Sequence, residues 1–145
     1  MTEIRNRSAY HEFFIEDKYD AGMVLAGTEV KSIREGKVNF ADSFCAFFKS
    51  ELWVRNLHIA EYRFGTTYNH LAVHDRKLLL NKKELRKLEN KLKDKGYTIV
   101  PLRIFLSDKG LIKMEIGLGR GKKLYDKRES IKDRDVQREM TRYLK

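Results

Sequence analysis

The sequence holds one cysteine, Cys45, and one proline, Pro101, among 145 residues, with nine glycines. A lone cysteine excludes an intramolecular disulfide and a zinc site built on paired thiolates. Sparse glycine and proline, with no repeat or low-complexity block, leave few breakpoints, and the length suits one domain. No run approaches the ~20 apolar residues of a membrane-spanning helix. The opening MTEIRNRSAYHE lacks the apolar stretch of a secretory signal, so a cytoplasmic protein without membrane attachment is expected. Catalytic constellations are missing too. Gly117-Leu118-Gly119-Arg120-Gly121-Lys122 fits neither the Walker loop nor the dinucleotide fingerprint. Ser43 and Cys45 have no recognisable base, and the acidic residues are scattered among lysines. His70, His74 and Asp75 have a spacing that suits a metal but no third strong ligand nearby. No enzyme activity, cofactor or metal is expected.

What the chain has in excess is positive charge. Thirty-one lysines and arginines against 21 acidic residues give +10. Residues 82–95 hold seven basic and three acidic side chains, hence +4, and residues 120–145 hold ten and five, hence +5. The other residues together carry only +1. Charge concentrated in two short segments is the footprint of a protein that binds a polyanion, and nucleic acid is the natural one. An ordinary solvated surface interleaves the signs more evenly.

Hydrophobic patterning sets the scaffold. Tyr10–Asp17 and Met23–Ala26 read as short strands parted by Asp20-Ala21-Gly22. Thr28 looks like the N-cap of a short helix over Glu29–Glu35, stopped by Gly36. Ser43–Phe48 and Glu51–Arg55 flank Lys49-Ser50 as a hairpin. Asn81 and Glu84 form a capping box for a helix with a Leu85, Leu88, Leu92 stripe, an arc of lysines opposite, and Gly96 as its stop. Residues 98–106 and 112–118 alternate as two strands across Ser107-Asp108-Lys109-Gly110, with Pro101 marking an edge or bulge. The pattern predicts a mainly β fold: a small antiparallel barrel with short flanking helices. From Gly117 the glycines and dense charge read as a flexible joint leading to a basic arm. Domain limits of 1–124 for the barrel and 125–145 for the arm follow. Ile131, Val136, Met140, Tyr143 and Leu144 are too few to outweigh the cost of ordering the arm, so it is expected to fold only on a partner. Phe13, Phe44, Phe47 and Trp53 are expected in the core, while Tyr62, Phe64, Tyr68 and Tyr125 are candidates to stack on unpaired bases.

Four ordered motifs carry a resemblance. Gly27-Thr28-Glu29-Val30-Lys31-Ser32, Arg76-Lys77-Leu78-Leu79-Leu80, Gly96-Tyr97-Thr98-Ile99-Val100-Pro101-Leu102 and Arg120-Gly121-Lys122-Lys123-Leu124-Tyr125-Asp126-Lys127-Arg128 resemble the small protein B family, the SsrA-binding proteins of bacteria. The resemblance implies a barrel of oligonucleotide-binding type. It implies binding of transfer-messenger RNA and its delivery, with elongation factor Tu through the charged RNA, to 70S ribosomes stalled without a stop codon, as a monomer. RNA contacts are implied at Asn6, Asp20 and Leu80, with Arg7, Lys77 and Lys113 as further candidates. Asp20 stands where relatives usually have glutamate, and residues 69–75 lack the proline and arginines common there. Contacts at the decoding centre and mRNA channel are implied for Gly121, Lys122, Lys123, Tyr125, Asp126, Lys127 and Arg128, continuing to Lys132, Arg134, Arg138, Met140, Arg142 and Tyr143. The alternative is a basic barrel built permanently into the ribosome on folded rRNA.

Overall fold

In a computed structural model, which describes residues 3–65 and 68–122, the chain runs β1 (Glu3–Arg5), α1 (Ala9–Glu12), β2 (Phe13–Met23), α2 (Gly27–Arg34), β3 (Val38–Asn39), β4 (Phe44–Phe48), β5 (Glu51–Arg55), β6 (His58–Ile59), β7 (Arg76–Leu79), α3 (Lys82–Lys91), β8 (Tyr97–Leu106) and β9 (Ile112–Gly121). The main sheet is antiparallel in the order β1-β8-β4-β5-β7-β2-β9, and β9 pairs back onto β8. Six strands thus close on themselves, with β1 added at the far end of β8 and β3–β6 forming a separate short ribbon. Closure removes the free edges that an open sheet would expose. The expected mainly β barrel with short helices is the fold.

Alternation explains the inside. Ala21, Cys45, Leu52, Val54, Leu78, Ile99, Ile104, Met114, Ile116 and Leu118 point inward and are buried together. Helix α3 closes part of this core with fully buried Leu88, flanked by Leu85 and Leu92. Its Asn81–Glu84 capping box forms as the sequence indicates, with Glu84 N–H donating to Asn81 Oδ1 at 2.8 Å. The β4–β5 hairpin also forms, and its two-residue turn forces Lys49 and Ser50 to φ of 51° and 63°. That is the left-handed geometry Asn-Gly would supply at lower cost.

Pro101 marks a bulge: the β8–β9 register slips between Pro101 and Arg103. One strand then carries two residues against one, so Leu102 can join an outer cluster while Arg103 stands beside it opposite Glu115. That second cluster, Ala9, Val100 and Leu102 with Phe13 and Ile15, packs outside the barrel under α1.

Five expectations are corrected. Asp20-Ala21-Gly22 is no turn. It lies inside the eleven-residue β2, where Ala21 is wholly buried and pairing to β9 runs unbroken from Asp17 to Gly22. Tyr10 opens α1 territory instead of a strand, and Leu25 and Ala26 follow the end of β2. The Gly117–Lys122 stretch is no flexible joint at its start. Gly117, Gly119 and Gly121 sit within β9, and a Cβ on Gly119 would lie 2.5 Å from the Phe14 carbonyl oxygen. Gly119 thus serves a close approach of backbones, and a Cβ on Gly117 would collide with the Leu102 and Ile15 side chains, whereas nothing crowds Gly121. Of the four aromatics assigned to the core, Phe47 and Phe13 pack against the two clusters. Phe44 and Trp53 are half-buried outside both and line surface clefts, because their strand positions face outward. The helix expected from Glu29 begins earlier, at Gly27, with Ala26 as its N-cap.

Behind α2 lies a buried ion pair. Glu29 and Arg76 are almost wholly buried and bonded to each other. Arg76 also donates to the carbonyls of Leu57 (2.7 Å), Ala72 (3.1 Å), Leu71 (3.3 Å) and His74 (3.4 Å). Glu29 accepts from the Ala26 N–H at 2.9 Å and lies 3.0 Å from His74 Nε2. Burial works to raise the Glu29 carboxyl, but the Ala26 N–H, Arg76 and His74 outweigh it and hold the group below its ordinary value. His70, also buried, joins Thr28 Oγ1 and the Ile59 carbonyl, each at 2.9 Å. Both histidines therefore fasten the 70–74 stretch to α2, and the described residues contain no cluster able to hold a metal.

Candidate nucleic-acid interface

Side chains that alternate away from the core build one continuous outer face across β1, β8, β9 and β2. The register sets Arg5 against Arg103, Arg103 against Glu115, Glu115 against Asp20, and Lys113 between Phe105 and Gly22. Beside this grid, Arg5, Asn6, Arg7, Tyr10, Lys18, Leu102, Arg103 and Glu115 line a cleft of about 400 Å³. Ion pairs order its floor. Glu3 binds Arg5 at 2.7 Å and Arg103 at 3.0 Å, and Arg103 Nε lies 3.4 Å from Glu115 Oε1. The Arg103 guanidinium also stacks 4.2 Å from the Phe105 ring centroid. Hydrogen bonding from Arg5 first, and from Arg103, holds Glu3 below its ordinary value. Lys18 Nζ sits 5.3 Å over the Tyr10 ring, and a hydrogen bond to the Tyr10 hydroxyl raises the lysine.

The sequence-selected residues distribute unevenly over this surface. Asn6 and Arg7 line the cleft, and Asp20 and Lys113 lie on the adjoining strands. Asn6 is also a structural clasp: its Nδ2 donates to the Pro101 carbonyl at 2.8 Å, and its Oδ1 accepts from Ser8. Asp20 is exposed and makes no ion pair with Lys18 or Lys31, which instead face Tyr10 and Tyr62. Lys77 is held by Glu51 on the β5 side. Leu80 is half-buried against the core, whereas its neighbour Leu79 is 50% exposed. Gly121 closes β9 opposite Phe13, and Lys122 Nζ donates to the Tyr10 carbonyl at 2.7 Å, 5.1 Å from the Phe14 ring. Lys123, Tyr125, Asp126, Lys127, Arg128, Lys132, Arg134, Arg138, Met140, Arg142 and Tyr143 lie outside the described residues.

Sequence reasoning missed Tyr10, Lys18, Arg103 and Glu115 as a group, because a bulge and a short helix bring them together. Pro101 was the one available signal. Sequence reasoning also missed the contacts of Arg120 near the end of β9. Tyr97 Oη donates to Glu16 at 2.7 Å, and Arg120 donates to Tyr97 Oη at 3.0 Å with its guanidinium 4.6 Å from the same ring. Elsewhere, Phe64 and Tyr68 are 67% and 89% exposed, and Arg63 stacks on Phe64 at 4.7 Å. The basic side chains of α3 and the turn after it are exposed. Cations, exposed rings and a few carboxylates on one protein surface match the needs of RNA recognition: phosphate neutralisation, stacking and base-edge hydrogen bonds.

Comparison with known proteins agrees with this chemistry. A family model described as SmpB protein matches residues 3–145. An SsrA-binding protein of Bacteroides thetaiotaomicron is 55% identical over 142 residues, covering 98% of this chain and 95% of the relative. One from Pelobacter propionicus is 53% identical over 140 residues, covering 97% and 91%. A solved structure described as "tmRNA-SmpB: a journey to the center of the bacterial ribosome" contains a chain that is 44% identical. It superimposes with a TM-score of 0.74, covering 98% of this chain and 96% of that one.

Proposed function

The chain belongs to the SmpB protein family, and we propose on that footing that it binds transfer-messenger RNA and brings it to stalled ribosomes for peptide tagging and rescue. The observation that carries this reading is the match over residues 3–145, because it spans both the barrel and the basic segment after it. The division of labour follows from charge and geometry. The barrel's outer face, with Asn6, Arg7, Asp20 and Lys113, holds the RNA. The segment from Gly121 onward reaches the decoding centre and the mRNA channel. There Lys132, Arg134, Arg138 and Arg142 gain phosphate partners, and Met140 and Tyr143 gain a surface to pack on. Elongation factor Tu joins through the charged RNA. The protein acts as a cytoplasmic monomer and binds without catalysing.

Reconstituted translation on a message lacking a stop codon tests the reading. Added with alanyl-charged transfer-messenger RNA and elongation factor Tu, the protein should restore tag addition to the stalled peptide. Met140→Asp with Tyr143→Asp should abolish tagging while RNA binding persists. If tagging proceeds equally well without the protein, the proposal fails. The rRNA-component alternative makes a different prediction: stoichiometric retention on all ribosomes through a high-salt wash.

A further inference from the structure

We propose that the outer arc of α3, continued through Tyr97 to Arg120, is a phosphate-binding track for one strand of ribosomal RNA. The inference rests on the ribosome-rescue reading above and deepens it. Helix α3 turns Leu85, Leu88 and Leu92 toward the core and leaves Lys82, Lys83, Arg86, Lys87 and Lys91 exposed. None of these five has a carboxylate partner among the described residues. By contrast, every arginine in a strand has one: Arg5, Arg55, Arg76, Arg103 and Arg120. Glu84 is spent on the Asn81 cap, and Glu89 is half-buried. The arrangement works against the helix itself. Lys82 and Arg86, Lys83 and Lys87, and Lys87 and Lys91 are like charges four residues apart, which repel. Lys82 and Lys83 also open the helix, where its dipole disfavours cations. A local conflict of this kind marks a functional surface, and an anion lying along the arc resolves it.

Spacing identifies the anion. Lys83, Lys87 and Lys91 follow one another at steps of ~6 Å along the helix. A regular row of cations suits the repeating charge of a nucleic-acid backbone, whereas a single phosphate needs a pocket. The arc exposes no aromatic ring between Lys82 and Lys91, so its contacts position a strand without reading its bases. The row continues beyond the helix. Lys91 Nζ lies 5.8 Å over the Tyr97 ring, and the Arg120 guanidinium lies 4.6 Å from the same ring. Two cations, one from α3 and one from β9, therefore converge on Tyr97. Glu16 reaches Arg120 at 3.9 Å and leaves Lys91 unpaired. The source of the strand follows from this direction. Arg120 stands at the end of β9, just before the basic segment assigned above to the ribosome, so the track meets ribosomal RNA. The cleft around Arg7 is another surface. No α3 residue lines it, and Arg103, on its floor, lies roughly 20 Å along β8 from Tyr97.

The test uses the full chain, alanyl-charged transfer-messenger RNA and 70S ribosomes stalled on a message without a stop codon. Lys83→Gln, Lys87→Gln and Lys91→Gln combined should weaken docking of the protein–RNA complex on these ribosomes by about tenfold or more. The log–log salt slope of that step should fall by about three units, one per contact. Affinity for free transfer-messenger RNA should stay within about twofold of wild type. Removing the like-charge pairs should leave the thermal midpoint equal or higher, so the docking loss is read on a folded protein. Lys83→Arg, Lys87→Arg and Lys91→Arg combined should dock as wild type does. A hydroxyl-radical source tethered at Lys87→Cys should cut ribosomal RNA, and the label goes there because Cys45 is buried. Unchanged docking and slope, an equal loss on free transfer-messenger RNA, or cuts confined to that RNA overturns the track while the rescue reading stands. A wild-type complex that fails to dock on stalled ribosomes overturns both.

Discussion

Replacing Arg76 by methionine tests how the segment around Leu57 and residues 71–74 is held. The side chain is 0% exposed, it bonds to Glu29, and it donates to four backbone carbonyls. Methionine keeps much of the volume and removes every donor. Glu29 then remains buried with only the Ala26 N–H and His74 as partners, and the carbonyls of Leu57, Leu71 and His74 lose the Arg76 donor, while Ala72 keeps the Ile59 N–H at 3.0 Å. Breaking one side of a buried pair costs about 3–5 kcal/mol, a large share of the ~5–15 kcal/mol that holds a domain folded. Urea unfolding followed by far-ultraviolet circular dichroism should show an unfolding free energy lowered by that amount, read as a lower midpoint at unchanged slope. Adding Glu29→Leu removes the stranded charge, so the double variant should be more stable than Arg76→Met alone. Arg76→Lys keeps the charge but cannot span the four carbonyls, and should lose roughly 1–3 kcal/mol. A loss below about 1 kcal/mol in Arg76→Met, or a double variant that is worse still, would refute the view that this pair fastens the segment.

Other outcomes follow from the same structure. Gly119→Ala should destabilise by roughly 1–3 kcal/mol in thermal unfolding, since its Cβ meets the Phe14 carbonyl at 2.5 Å; a neutral result would restore the joint reading. Lys49→Asn with Ser50→Gly should stabilise by about 1 kcal/mol, because it relieves two positive φ angles of non-glycine residues. The depressed Glu29 carboxyl favours the folded state while ionised. Its contribution is present above the ordinary value of 4.5 and is lost as pH falls through the lower folded-state value. Stability measured from pH 6 downward should therefore drop below about 4.5, less steeply in Glu29→Gln. Deleting residues 126–145 should leave affinity for transfer-messenger RNA within about tenfold, roughly 1.4 kcal/mol, in a filter-binding titration.

The legible parts of the fold were those where local pattern and tertiary context agree. The Asn81–Glu84 cap, the Leu85–Leu88–Leu92 stripe and the two long alternating strands carry their own period, and each formed. Asp20-Ala21-Gly22 misled because turn-prone residues were placed in a strand interior, where Gly22 lets Leu79 pack close and Ala21 fits the core. Gly117 and Gly119 misled for the same reason. Glycine marks both freedom and crowding, and only the neighbouring Ile15, Leu102 and Phe14 tell which. Trp53 and Phe44 are apolar but face outward, since hydrophobicity does not state on which side of a pleat a residue falls. For the candidate site, Asn6, Arg7, Asp20 and Lys113 were named from resemblance. Arg103, Glu115, Lys18 and Tyr10 become visible only when the Pro101 bulge and α1 bring strands distant in sequence onto one face.

The central claim is that this barrel recognises one particular RNA. The direct measurement is to recover the full-length protein from a bacterial lysate at moderate salt and sequence the RNA that accompanies it. Transfer-messenger RNA should dominate over its cellular abundance, and a charge-reversing Arg7→Glu, Lys113→Glu variant should lose it. Recovery of rRNA in proportion to ribosome content, unaffected by that variant, would contradict the account.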